Sequence, residues 1–218
     1  MQDGSPTPAV RSRGRPRDPL LESRVYQVAS KVYGEQGWAG FNFDLIARES
    51  GVGKASLYNR WGSRAQLLRD LVEQRWRPLA AIDSGSLEAD LQAFALLVLK
   101  MYLDTGGRMP LHLRRDIASY PEVAEVVGPA LLDLSQRCLA IIRRAKARGE
   151  VDEALDTGLI PEMITATLEV QASNIGLQSR SSAIGADGAL NEAVRARVNM
   201  MVDIIIRGAL RPDRATPR

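Results

Sequence analysis

The chain has 218 residues, a formal net charge of +3, 45% hydrophobic and 25% charged residues, enough to bury a sizeable core and unlike a collagen-like or largely disordered polypeptide. No apolar run approaches the roughly 20 residues that cross a bilayer, and the first residues lack the hydrophobic core of a secretory signal, so a cytoplasmic protein is expected. The single cysteine, Cys138, cannot close an intrachain disulfide, in keeping with a reducing compartment, and its place in an apolar helical pattern makes it core filler.

Residues 1–17 are rich in Pro, Gly, Ser and Arg without apolar periodicity, the composition of a flexible basic arm. Leu21, Val25, Val28, Ala29 and Val32 then recur at helical spacing and predict a first helix over about 19–36, closed by Gly34 and Gly37. Asn42 offers a side-chain acceptor to a second short helix in which Phe43, Ile46 and Ala47 share a face, and Gly51 supplies its left-handed cap. Val52-Gly53 makes a turn, and Lys54 to Trp61 form a third helix with Leu57 and Trp61 on its inner side. Ser63 and Gln66 have capping-box spacing and open a fourth helix with the stripe Leu67, Leu68, Leu71, Val72 and Trp76, ended or kinked near Pro78.

Asp83 to Ser86 mark a shift into a longer, more apolar region. A fifth helix is expected over about 86–104, short helices broken by Pro110 and Pro121 over 108–127, and a long helix over about 128–148 with Pro129 in its first turn. Two more follow, near 157–180 and 189–210, around a Ser/Gly-rich loop at 181–188. The organisation is all-α: a basic arm (1–17), a helix-turn-helix head (18–80), a helical regulatory and dimerisation region (81–211) and a short tail (212–218). Charge follows the same division. Residues 1–80 carry 13 Lys and Arg against 8 Asp and Glu, a net +5, whereas residues 81–218 carry 16 against 18, a net −2. A polyanion would therefore bind at the N-terminal third.

Reading DNA requires a helix with one side fixed to a core and the other free to enter the major groove, about 12 Å wide. Residues 42–61 have that pattern, with Phe43, Ile46, Val52, Leu57 and Trp61 for packing. The run from Phe43 to Leu68, FDLIARESGVGKASLYNRWGSRAQLL, resembles the signature of TetR-family regulators, and Gly37-Trp38 resembles the end of the family's first helix. The likeness covers about residues 19–77. Two positions depart from it: Gly53 stands where a capping Ser or Thr is frequent, and Gly62 replaces a frequent proline.

The resemblance implies double-stranded DNA as partner, and side-chain chemistry distributes the roles. Lys54 suits a phosphate or guanine, Ser56 and Asn59 suit base edges, Ala55 a thymine methyl, Tyr58 a phosphate, Arg60 a base or the backbone, and Arg64 a phosphate. Asn42 and Phe43, at the start of the second helix, complete the set. Arg13, Arg15 and Arg17 form an Arg-Gly-Arg-Pro-Arg segment similar to hooks that enter the minor groove of A·T-rich DNA, although a plain basic tail reads equally well.

In the C-terminal region Leu190, Val194, Val198, Met201 and Ile205 make one apolar stripe, Ile160, Ile164, Leu168 and Ile175 another, and Val202, Ile204 and Ile206 widen the first. Both stripes suit a monomer core or an interface. The resemblance implies a homodimer on a palindromic operator, joined by two helices from each subunit through Ile164, Leu168, Ile175, Leu190, Val194, Val198, Met201, Val202 and Ile205. It also implies a cavity for an unidentified small-molecule effector, for which this chain offers Phe94, Leu97, Val98, Met101, Tyr102, His112, Leu131, Leu134, Cys138 and Leu168. One His, one Cys, and no metal-ligand spacing, phosphate loop or nucleophile elbow argue against an enzyme and against a metal or cofactor. The expected function is a sequence-specific regulator, a repressor released by its ligand. An architectural or activating DNA binder without ligand sensing would share the same head.

Overall fold

The computed structural model describes residues 19–104, 108–178, 183–185 and 189–209. Arg13, Arg15 and Arg17, most of the 181–188 loop and the tail lie outside the described residues. The elements run α1 (Pro19–Gly40), α2 (Phe43–Ser50), α3 (Lys54–Trp61), α4 (Arg64–Trp76), a 3-10 turn (Arg77–Ala81), α5 (Leu87–Asp104), α6 (Arg108–Ser119), α7 (Pro121–Ala147), α8 (Leu159–Gln178) and α9 (Glu192–Ala209). Among the described residues the extended pairing is limited to an isolated antiparallel bridge between Ile184 and Leu190, so the fold is all-α.

Local chemistry sets the element ends. Asn42 Oδ1 accepts from the Leu45 N–H at 2.9 Å and Ser63 Oγ from the Gln66 N–H at 3.2 Å, satisfying amides at the two helix starts. The return half of the capping box is replaced, because the Ser63 N–H donates to Trp61 O at 2.7 Å. In α1 the helical path breaks at Gly37, with φ 63° and ψ −164°. Glycine is needed there twice over. The backbone is left-handed, and a Cβ would stand 2.8 Å from His112 Nδ1 and 2.9 Å from Arg115 Nη2. The helical path thus ends at Gly37, at the expected boundary, and residues 38–40 continue beyond the break.

The proline-containing stretch also differs from expectation. Pro110 falls in the first turn of α6, where its missing N–H would have had no intrahelical partner, so residues 108–119 form one helix. Pro121 opens α7, and Pro129 lies inside that 27-residue helix. A proline's Cδ crowds the N–H and Cβ of the residue before it, and Gly128, with no Cβ, removes the Cβ part of that clash.

Packing produces two apolar clusters. The first gathers α1 to α4 around residues such as Tyr33, Trp38, Ile46, Leu57 and Leu68, and it also takes Met109 and Leu113 from α6 and Val123 and Val127 from α7. The second is built from α5, α7, α8 and α9, with Leu91, Phe94, Ile142, Ile164, Leu168, Val198 and Val202 buried. The head's core thus does not end at residue 80. Trp76, the last residue of α4, packs against both clusters.

Candidate nucleic-acid interface and internal pocket

Two turns of helix are too short to hold their shape alone, so α3 stands by its inner anchors, Leu57 at 0% and Trp61 at 5% exposure. Lys54, Ala55, Ser56, Tyr58, Asn59 and Arg60 are all exposed on the other sides of the same eight residues. Tyr58 rests edge-on against Phe43 with ring centroids 4.8 Å apart. Phe43 is itself buried, which makes it the platform under Tyr58 and corrects its expected place among the contacting side chains. Asn42 is committed to structure as well, since its amide donates to Gly40 O at 3.0 Å while its oxygen caps α2.

The two cations of α3 fold onto carboxylates. Lys54 Nζ lies 2.7 Å from Asp44 Oδ1, and Arg60 Nε 2.8 Å from Glu22 Oε1. The hydrogen bond to the carboxylate is in each case the main cause that raises the pKa, so both remain charged. Exposed pairs of this kind contribute little, and a phosphate can displace the carboxylate at small cost.

Arg64 differs from its expected role. Its Nη1 donates to Trp38 O at 3.1 Å and Phe41 O at 3.0 Å, its Nη2 donates to Glu122 Oε1 at 3.2 Å, and its guanidinium lies 3.9 Å from the Trp38 ring centroid. Trp38 Nε1 donates to the same Glu122 oxygen at 2.7 Å. The side chain is a clasp joining the end of α1 and the starts of α4 and α7. Beside it Asp116, fully buried on α6, accepts from Tyr33 Oη at 3.0 Å and the Trp38 N–H at 2.8 Å. Burial and Asp116 both push the Tyr33 pKa up, which keeps its proton in that bond. Sequence reasoning missed Asp116 and Glu122. The available signal was an acid three residues after Leu113, on that residue's inward face.

A cavity of about 300 Å³ opens where α4 to α8 meet. Of the residues proposed from the sequence, Val98, Met101, Tyr102, Leu131 and Leu134 line it, joined by Val72, Arg75 and Trp76 of α4 and by Met109, Leu113 and Arg114 of α6. Tyr102 Oη at 3.3 Å and Arg114 Nη2 at 2.6 Å both donate to Glu169 Oε2. Burial, then Glu169, pushes the Tyr102 hydroxyl up to about 12. Five expected lining residues lie elsewhere. Phe94 and Leu168 are inside the second cluster, and Leu97 and Cys138 pack against it. His112 belongs to the α1–α6 joint, its ring centroid 6.2 Å from that of Tyr33 and its Nδ1 2.8 Å from Arg115 Nη2. Burial raises the Cys138 thiol to about 11, so it is protonated and inert near neutrality. A more polar groove of about 760 Å³ between α4 and α7 shares Val72, Trp76 and Leu134 with the cavity.

The expected interface stripes are occupied within the single chain. Ile164, Leu168, Leu190, Val198, Val202 and Ile205 are buried in the second cluster, and Ile175, Val194 and Met201 pack against it. The reason is geometric: α8 and α9 both lie on α5, and their densest apolar faces turn toward it. The outward faces carry Met163 and Val170 on α8 and Met200 and Ile204 on α9, all exposed.

A two-turn helix anchored on its inner side, polar on its outer edge and joined to a preceding short helix through the Gly51–Gly53 turn has the geometry of a helix-turn-helix DNA-binding head. The family model described as "Bacterial regulatory proteins, tetR family" matches residues 25–71, and that described as "Tetracyclin repressor-like, C-terminal domain" matches residues 81–174. The chain belongs to the TetR family of transcriptional regulators. It is 28% identical over 165 residues to the HTH-type transcriptional regulator AqdR of Rhodococcus erythropolis, covering 75% of this chain and 80% of that one. Its fold is similar to the fatty acid degradation regulator FadR from Bacillus halodurans, with TM-score 0.66, 18% identity and coverage of 89% of this chain and 98% of that one. FadR from Bacillus subtilis, solved in complex with stearoyl-CoA, is similar with TM-score 0.65 and 16% identity, covering 85% of this chain and 98% of that one. Among the described residues no helix is long and apolar enough to cross a membrane.

Proposed function

We propose that the protein is a repressor that binds a two-fold operator as a homodimer and leaves it when a small molecule fills the 300 Å³ cavity. The observation that carries this reading is the exposed edge of α3, six residues from Lys54 to Arg60 presented by a helix whose anchors are buried. Ser56 and Asn59 supply base-edge hydrogen bonds, Ala55 meets a thymine methyl, and Lys54, Tyr58 and Arg60 hold phosphates or bases. The arm with Arg13, Arg15 and Arg17 follows the backbone or enters the minor groove.

One such helix reads few bases, so specificity needs two heads at fixed spacing. The outward faces of α8 and α9, through Met163, Val170, Met200 and Ile204, are the apolar surface that pairs them. The cavity is placed to report on this spacing because Val72 and Trp76 of α4 line it, and α4 follows α3 after only Gly62 and Ser63. A ligand that prefers a displaced α4 lowers operator affinity by its differential binding energy. The Bacillus subtilis FadR complex supports the reading that this fold accepts a small molecule.

The test is footprinting on the DNA upstream of the protein's own gene. A symmetric protected site is expected, with Lys54→Gln and Asn59→Ala each weakening it by about 1–3 kcal/mol. Deleting residues 1–17 weakens binding and flattens its salt dependence. Failure to bind any duplex more tightly than random sequence at moderate salt would sink the proposal.

A further inference from the structure

We propose that the cavity takes an apolar monocarboxylate whose charged end is received by Arg75, an inference that rests on the cavity being the effector site. The lining is mostly apolar, and among the described residues Arg75 and Arg114 are its charged ones. The two cations differ in what neutralises them. Arg114 Nη2 lies 2.6 Å from Glu169 Oε2. Arg75 Nη2 is 4.0 Å from Asp104 Oδ2, a carboxylate that Lys100 also approaches at 3.5 Å. Its two hydrogen bonds go to neutral acceptors, Ser30 Oγ at 2.9 Å and Met101 O at 3.1 Å.

Arg75 is only 14% exposed, and burial pulls its pKa down. A cation held out of water with a distant, shared counter-charge gains most from a ligand carboxylate, which can engage a guanidinium through two parallel bonds. A neutral ligand leaves that demand unmet, and an amine is repelled. A cavity of about 300 Å³ falls at the lower end of the range of small-ligand sites, about 300–1,000 Å³, and suits a compact acid. The same contact carries a signal. Arg75 sits on α4 and ties it to Ser30 of α1 and Met101 of α5. A carboxylate that captures the guanidinium competes with the bonds that join head and body.

Titration calorimetry of the full chain with octanoate, 1-octanol and octylamine tests this. Octanoate is expected to bind at least about tenfold more tightly than 1-octanol, the equivalent of one charge-assisted hydrogen bond, and octylamine more weakly than either. Arg75→Gln should reduce octanoate to the affinity of the alcohol, while Arg114→Gln changes it less than about threefold. Ser30→Ala keeps the guanidinium, removes the acceptor that the acid must displace, and should tighten octanoate severalfold without moving 1-octanol. Equal binding of acid and alcohol, an acid preference that survives Arg75→Gln, or no octanoate binding at millimolar concentration overturns the anion site. If acid and alcohol bind equally and Val98→Trp abolishes both, the cavity still binds ligands and only its anion preference is lost. Operator binding of the ligand-free chain, measured on the same preparations, decides the regulator reading independently.

Discussion

At Gly37 the absence of one carbon atom lets two helices touch. The left-handed break points the Trp38 N–H at Asp116 and lets His112 and Arg115 approach the α1 backbone. Gly37→Ala imposes an unfavourable φ and pushes two side chains aside. It should cost about 2–4 kcal/mol, read as a lower urea midpoint at unchanged m-value, and an unchanged midpoint would refute the account. His112 in the same joint links stability to pH. Burial first, then Arg115, holds its imidazole below the ordinary value of 6.5, with Arg108 adding to the effect and Asp116 and the Gly34 backbone opposing it. Its folded pKa is depressed, so as pH falls below 6.5 the unfolded chain takes up the proton first. Stability is therefore lost through that value and down to the folded one. The fall in melting temperature between about pH 7.5 and pH 5.5 should be smaller in His112→Gln, and equal falls would remove His112 from the linkage.

At the scale of the element, α4 begins in a clasp. The Arg64 fork donates to the Trp38 and Phe41 carbonyls, at and just past the end of α1, and to Glu122 of α7 while stacking on Trp38. Arg64→Gln should lower stability by about 1–2 kcal/mol and weaken operator binding without altering its salt slope. A phosphate contact would instead reduce the slope by about one, so the two outcomes separate strut from contact. Only part of this was legible in the sequence. The caps at Asn42, Gly51 and Ser63 and the anchors Leu57 and Trp61 depend on neighbours within four residues, and spacing alone reveals them. The Arg64–Glu122 and Trp38–Asp116 contacts join positions 58 and 78 residues apart, beyond any local pattern. Gly62 shows a different limit. Its φ of 71° is closed to the proline frequent in the family, so this chain enters α4 by its own backbone route.

For the whole molecule, the decisive question is which apolar faces remain once the chain has folded. Helical periodicity identifies the stripes on α8 and α9, but both helices pack on α5, and the most regular stripe is used there. Met200 and Ile204, each 65% exposed, lie outside it, and they are what a second copy can cover. The two sets of residues therefore answer differently to substitution. Ile164→Ala opens a hole in a closed core and should lower the stability of the chain by about 2–5 kcal/mol. Met200→Glu combined with Ile204→Glu changes surface positions, where the monomer's stability moves by only about 0.5 kcal/mol per site, yet it sets like charges against each other across a two-fold axis. The double variant should sediment as a folded monomer at micromolar concentration, retain its helical circular dichroism, and lose most of its affinity for a two-half-site operator while binding a single half-site as weakly as the wild type does. A dimer that persists in this variant would mean that the heads are paired by some other surface.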